Sequence, residues 1–257
     1  MDNMHLTLEG NVALIEFNSP PVNTITPKFM DELEAALIEI EQLPDIRAVI
    51  IYSGLPKVFV AGADIKAFQF MDGEGTQQVS KRGHLVLDRI ENLSIPVICV
   101  IEGVAFGGGL EIALACDIRI FGEKAKVGLP ETSLGIIPGY GGTQRLPLLV
   151  GEGNAKKMMF TAAPVKAEEA YHMGLAQEVC PLGQALDRAK EMAAAICKNG
   201  PLAVGAAKRC IHETRKGDFS GGIECELKES GLLFETEDKV EGMTAFIEKR
   251  PPIFKKC

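Results

Sequence analysis

The sequence predicts an α/β fold that ends in a helical part. Two observations carry this. Through the first two thirds, apolar runs of strand length alternate with stretches of helical periodicity. After Gly142 the strand-like runs nearly vanish and helical patterns follow one another. At 257 residues the chain fits one core, or one core with a small helical appendage.

Each element has its own reason. Residues 7–8 and 12–17 read as a hairpin around Gly10-Asn11. Residues 27–43 read as an amphipathic helix with Thr26 as cap and Pro27 in its first turn. Phe29, Met30, Leu33, Leu37 and Ile40 give it one apolar face. Residues 48–52 and 58–60 are short buried strands, and 79–93 is helical. Residues 96–101 form another buried strand, followed by a Gly-rich turn and a helix over 110–115. Strands are expected at 118–121 and 127–129. Beyond Gly142, helices are expected at 143–149, 154–160, 167–172, 183–198, 202–214 and 221–246, with one late strand at 176–180.

Composition excludes several classes. Apolar residues make up 46% and charged residues 24%, so the chain is not a disordered one. A net charge of −8 argues against a general nucleic-acid or anionic-membrane binder. The first lysine or arginine is Lys28, so the N-terminus lacks the positive region of an export or transit signal, and a cytoplasmic location is expected. The most apolar region, residues 95–121, is interrupted by Glu102, Glu111, Asp117 and Arg119 and reads as a buried segment, not a membrane span. Seven cysteines without a C-x-x-C pair read as free thiols, most of them core residues, in a reducing compartment. His5, His84, His172 and His212 show no metal spacing. His212-Glu213 starts an H-E-x-x-H motif, but Lys216 stands where the second histidine belongs, so no metal is expected. No phosphate-binding P-loop, dinucleotide fingerprint or G-x-S-x-G elbow occurs.

Three segments can carry chemistry. In Val58-Phe59-Val60-Ala61-Gly62-Ala63-Asp64-Ile65-Lys66 a strand runs into small residues, which let a ligand approach the backbone. In the stretch from Ile101 to Glu111 a buried strand meets three consecutive glycines that open a helix. Free N–H groups and the positive end of a helix dipole meet there. In the third, Glu131 follows Pro130 within a Gly/Pro-rich stretch ending Pro138-Gly139-Tyr140-Gly141-Gly142-Thr143-Gln144-Arg145-Leu146. Taken singly, these read as a tight turn, a helix-start carboxylate and a solvated loop carboxylate.

Together, in order and spacing, they resemble the crotonase (enoyl-CoA hydratase/isomerase) superfamily. The likeness runs from Asn-Ser-Pro-Pro-Val-Asn at residues 18–23, through A-G-A-D-I-K and G-G-G-L-E, to P-G-Y-G-G-T-Q-R-L and the stretch from Glu241 to Arg250. It implies a spiral of ββα units over residues 1–195 and a helical trimerisation region over 196–257, with trimers or hexamers as the assembly. It implies an acyl-CoA substrate, with no cofactor beyond the coenzyme A that the substrate carries. The backbone N–H groups of Ala63 and Gly108 would hold the thioester oxygen, and residues Ala61, Gly62, Ala63, Asp64, Ile65 and Lys66 would line the substrate site. Glu111 would activate a water, Glu131 would protonate C2, and the Gly139 backbone would help place the water. The activity implied is reversible syn addition of water to a trans-2-enoyl-CoA. Double-bond isomerisation is the alternative on the same scaffold. Lys66, Lys249, Arg250, Lys255 and Lys256 are candidates for the CoA phosphates.

The sequence departs from the family pattern at Leu110, Leu129 and Phe68, none of which is a catalytic position. An RNA-binding role, found in some relatives with a lysine-rich first helix, is disfavoured. Between Lys28 and Asp45 one basic residue faces six acidic ones.

Overall fold

The computed structural model describes residues 3–215 and 219–257. The chain opens with β1 (Met4–Glu9) and β2 (Val12–Phe17), an antiparallel hairpin turning at Gly10. A short β3 (Thr24–Ile25) leads into α1 (Pro27–Glu41), whose first turn is capped by Thr26 Oγ1 accepting from the Phe29 N–H at 3.2 Å. The apolar face expected for this helix is buried. Next come β4 (Ala48–Ser53), β5 (Val58–Val60), β6 (Gly62–Ala63), the four-residue α2 (Ile65–Phe68) and α3 (Gly73–Asn92). Helix α3 starts six residues before the periodicity suggests. Residues 73–78 carry no apolar side chain, so only the cap, Asp72 Oδ1 accepting from the Gly75 N–H, marks the start.

The chain continues through β7 (Val97–Ile101), β8 (Val104–Phe106), α4 (Gly108–Ala115), β9 (Ile118–Gly122) and β10 (Lys126–Gly128). A 3₁₀ turn (Pro130–Leu134) precedes α5 (Gly142–Thr161). Two helices were expected across α5, and the backbone leaves helical geometry once within it, at Gly151 (φ 76°, ψ 156°). Then follow β11 (Val165–Lys166), α6 (Ala167–His172), β12 (Glu178–Cys180), α7 (Ala185–Cys197), α8 (Pro201–Thr214), α9 (Phe219–Phe234) and α10 (Glu237–Glu248). The single helix expected over 221–246 is therefore two. Thr236 breaks it by capping α10, its Oγ1 accepting from the Lys239 N–H at 3.1 Å.

Most strands belong to two larger sheets, and β3 pairs with β6 in parallel as a separate two-stranded one. The larger sheet has the order β1-β2-β4-β7-β9-β12, and the smaller has β11-β10-β8-β5. The chain enters the large sheet at β4, β7 and β9, and after each crosses to the small one at β5, β8 and β10. From β2 onward every pairing in the large sheet is parallel. Side chains alternate across it. Val49, Ile51, Cys99 and Ile101 face the core containing α1, α3 and α4, while Ala48, Ile50, Ile98 and Val100 face α7. Burial on both faces explains the continuous apolar runs. Helix α7 meets the sheet through Ala185, Ala189 and Ala193, one small residue per turn.

The expected boundary between residues 195 and 196 falls inside α7, which belongs to the sheet packing to its end at Cys197. The chain leaves the sheet only afterwards, and α8 is tied back to it. Lys208 Nζ donates to Asp117 Oδ2 at 2.7 Å and to the Ile95 carbonyl at 3.1 Å. All seven cysteines are free, but only Cys99, Cys116 and Cys180 are buried, so core packing accounts for fewer of them than expected. Among the described residues no helix is long and apolar enough to cross a membrane, and no cluster of three or more His, Cys, Asp or Glu could hold a metal.

Candidate active site

The site is built where the small sheet hands the chain to α4. Strand β8 ends at Phe106, Gly107 turns the chain in a left-handed conformation (φ 53°), and α4 begins at Gly108 without a side-chain cap. A Cβ on Gly107 would lie 2.7 Å from Glu131 Oε1 and 4.0 Å from the Gly62 Cα. The A-G-A-D-I-K and G-G-G-L-E segments and Glu131 are thus neighbours in space. Gly109 lets α4 sit against the end of β5, since a Cβ there would lie 2.4 Å from the Val60 carbonyl oxygen. The Ala61 and Asp64 N–H groups donate to the Val22 and Ile25 carbonyls, which fixes the loop carrying Gly62 and Ala63. Buried Asn23 secures the same region. Its Nδ2 donates to the Phe59 carbonyl at 2.8 Å and to Ser53 Oγ at 2.9 Å.

Glu111, in the first turn of α4, is 2% exposed. Its Oε1 accepts from the Tyr140 and Gly142 N–H groups, both at 2.7 Å. Burial pushes its pKa up to about 7, against the opposing pull of those two donors; nearby Glu131 adds to the rise and Arg145 opposes it. Glu131 is no solvated loop carboxylate. It stands in the 3₁₀ turn, and its Oε2 is buried with no hydrogen-bond partner among the described residues. Burial also raises its pKa. A buried carboxylate oxygen without a protein partner is costly unless a ligand or a water supplies one.

A sequence profile of the family described as Enoyl-CoA hydratase/isomerase matches residues 7–257. The chain belongs to the enoyl-CoA hydratase/isomerase family. It is 41% identical over 251 residues to the short-chain-enoyl-CoA hydratase of Clostridium acetobutylicum, covering 97% of this chain and 96% of that one. It is 38% identical to the crotonyl-CoA hydratase of Syntrophomonas wolfei, covering 98% of each. The crystal structure of the enoyl-CoA hydratase from Bacillus anthracis superposes with a TM-score of 0.95 at 37% identity, over 99% of this chain and 100% of that one. The fold is accordingly the crotonase fold, with its helical C-terminal end.

The remaining family positions fall in different places. Ala63 and Gly108 lie at the junction already described. Asp64 caps α2, its Oδ1 accepting from the Lys66 N–H at 3.0 Å. Ile65 and Lys66 are exposed on that short helix, and Ala61 is exposed beside it. Gly139 lies one residue before the amides that hold Glu111. Leu110 and Leu129, the two departures beside the glutamates, are fully buried. In the tail, Arg250 is committed to Glu241 and Glu248, and Lys256 Nζ donates to the Pro44 carbonyl. Sequence reasoning missed the Tyr140 and Gly142 amides as the holders of Glu111, and missed Arg145 behind them. The P-G-Y-G-G-T-Q-R-L stretch was the available signal.

The raised pKa of Glu111 has a stability consequence. Its ordinary value is 4.5 and its folded value about 7, so between these the folded chain binds the extra proton. Stability falls as pH rises across that window, and above it the full cost stands, about 3 kcal/mol. Glu111→Gln removes the charge while keeping an oxygen for both amides. It should melt several degrees higher than the parent at pH 8 and close to the parent at pH 4, measured by thermal denaturation.

Proposed function

We propose that the protein is an enoyl-CoA hydratase, adding water reversibly to a trans-2-enoyl-CoA to give the 3-hydroxyacyl-CoA. The observation that carries this is the pair of buried Glu111 and half-buried Glu131, two carboxylates with raised pKa values at the glycine-rich start of α4. Hydration adds a hydroxyl at C3 and a proton at C2 on the same face. Two carboxylates sharing one water can do both. Glu111, with a pKa of about 7, takes the proton of the water at neutral pH, and the Gly139 backbone helps hold that water. Glu131 delivers the proton to C2. Negative charge gathers on the thioester oxygen as the hydroxyl adds. The Ala63 and Gly108 N–H groups stabilise it, the latter with the positive end of the α4 dipole.

Addition of water to a double bond balances without any redox step, so the reading needs no cofactor beyond the CoA of the substrate. Lys66, exposed beside the site, is the candidate partner for a CoA phosphate. Exposed apolar side chains along the C-terminal helices, among them Phe219, Leu227, Phe234, Phe246 and Ile247, support a trimer or a hexamer built through this end. Free thiols throughout support a reducing cytoplasm.

Incubation with crotonyl-CoA should bleach the enoyl thioester absorbance and yield 3-hydroxybutyryl-CoA. Glu131→Gln should lower kcat about 10²-fold or more. Failure to hydrate crotonyl-CoA or longer enoyl-CoAs, with isomerisation of a 3-enoyl-CoA instead, overturns the reading.

A further inference from the structure

The mechanism above leaves Arg145 unused, although it lies directly behind the site. Its side chain is only 10% exposed, in the first turn of α5. Nη1 donates to the Tyr140 carbonyl at 2.9 Å. Nε donates to Glu91 Oε2 at 2.9 Å, and Nη2 to Asp88 Oδ1 at 2.6 Å, both on α3. Glu91 uses its other oxygen to accept from Arg215 Nη1 at the end of α8. Tyr140 therefore has both backbone groups committed, its N–H to Glu111 and its carbonyl to Arg145. Between Tyr140 and Gly142, the two residues whose amides grip Glu111, Gly141 stands at φ 101°. A Cβ there would lie 2.4 Å from Arg145 Nη1. The guanidinium fork is pressed against the turn, which is the geometry in which a planar, multi-donor cation holds a backbone most rigidly.

We propose that Arg145 is a positioning residue of the reaction. It clamps the 139–142 turn to α3, so that the two amides of the turn keep Glu111 aimed at the substrate, and Glu91 holds Arg145 from behind. The idea rests on the hydratase reading. The groups around Glu111 and its turn are Glu131 from the 3₁₀ turn, Tyr140 itself, Arg145 from α5, and His84, Asp88 and Glu91 from α3. Asp64, after β6, spends Oδ1 on its own helix cap. Arg145 is thus the cation that favours the ionised form of Glu111.

The test compares Arg145→Gln, Arg145→Lys and Glu91→Gln with the parent in crotonyl-CoA hydration across pH. Amide hydrogen exchange at Tyr140 and Gly142 is followed in the substrate-free protein. Arg145→Gln should lower kcat about 10–100-fold with KM within about threefold, since a small misplacement of a catalytic group has effects of this size. The acid limb of its pH profile should move to higher pH, because the cation opposing protonation is gone. Exchange at the two amides should rise about tenfold or more. Arg145→Lys keeps the charge without the fork. It should hold the acid limb near the parent position while still losing kcat, and it decides the matter should Arg145→Gln not fold. Glu91→Gln should show a smaller loss of kcat in the same direction. Arg82→Gln, which removes an α3 ion pair with Asp31 and Glu34 away from the turn, should change none of these.

Unchanged kcat, pH profile and exchange in folded Arg145→Gln overturn the proposal, as does a rise in KM alone. A parent protein inert toward enoyl-CoAs sinks the hydratase reading instead. The exchange measurement then still decides whether Arg145 holds the turn.

Discussion

Glu111→Gln should lower kcat for crotonyl-CoA hydration by about 10²–10⁴-fold, the range for loss of a positioned general base. KM should stay within a few-fold of the parent. The reason lies in what the substitution keeps. A glutamine oxygen can still accept the 2.7 Å bonds from Tyr140 and Gly142, so the turn and the pocket wall stay in place. Only the ability to take a proton is lost. Steady-state kinetics at pH 8–9, above the Glu111 pKa of about 7, where the parent carboxyl is largely ionised, read the effect. A variant with more than a tenth of the parent kcat would mean that Glu111 has no proton to carry. The same substitution is expected to stabilise the fold at alkaline pH, so activity and stability should move in opposite directions. That opposition marks a charge buried for chemistry, not for folding.

Gly109→Ala should be the most damaging single methyl in the site. Its Cβ would fall 2.4 Å from the Val60 carbonyl oxygen and 2.7 Å from the Val60 Cβ. Val60 is fully buried at the end of β5, and the next residue is tied to the Val22 carbonyl through its N–H, so this backbone has little freedom to give way and α4 must shift. Overpacking of a tight core costs about 1–3 kcal/mol, and a clash with backbone lies at or above the top of that range. The shift also carries Glu111 and the Gly108 amide away from Glu131, so a folded variant should lose at least about 10²-fold in kcat. Thermal denaturation and kinetics on the same preparation check both halves. Gly153→Ala, at an open position on α5, is the comparison and should leave stability almost unchanged, because nothing lies within 4 Å of its Cβ.

The fold was readable where periodicity is strong. Helix α1 announces its cap, its proline and its apolar stripe, and it stands where these place it. The β4, β7 and β9 runs were plain because both of their faces are buried. What escaped was short or polar. Strands β3, β6, β8 and β11 have two or three residues, too few for any period to show. The first six residues of α3 lack apolar side chains. The break at Thr236 hides inside a continuous helical pattern, although its Thr-Glu-Asp is a start signal for α10.

The candidate site divides in the same way. By composition, Glu131 is a loop carboxylate and Glu111 a helix-start carboxylate. Only their joint order and spacing with the glycine motifs set them apart, and that is an argument from resemblance. Neither spacing nor resemblance could show that Glu131 Oε2 is shut away from solvent without a partner. The reach of Arg145 from α5 to α3 was equally out of view, since its partners lie 54 and 57 residues away.

By itself, then, the sequence determined the class of fold, the family, the acidic balance and the identity of the residues available for chemistry. These depend on local pattern, on side-chain type and on backbone freedom at glycine, all properties of the chain order. The tertiary structure alone decided which of those residues are buried, which lie near one another and which hold one another in place. Those properties depend on desolvation and on contacts between segments far apart in sequence. The same glutamate has a pKa of 4.5 as a residue in water and about 7 in the packed site, and the difference is supplied by the fold.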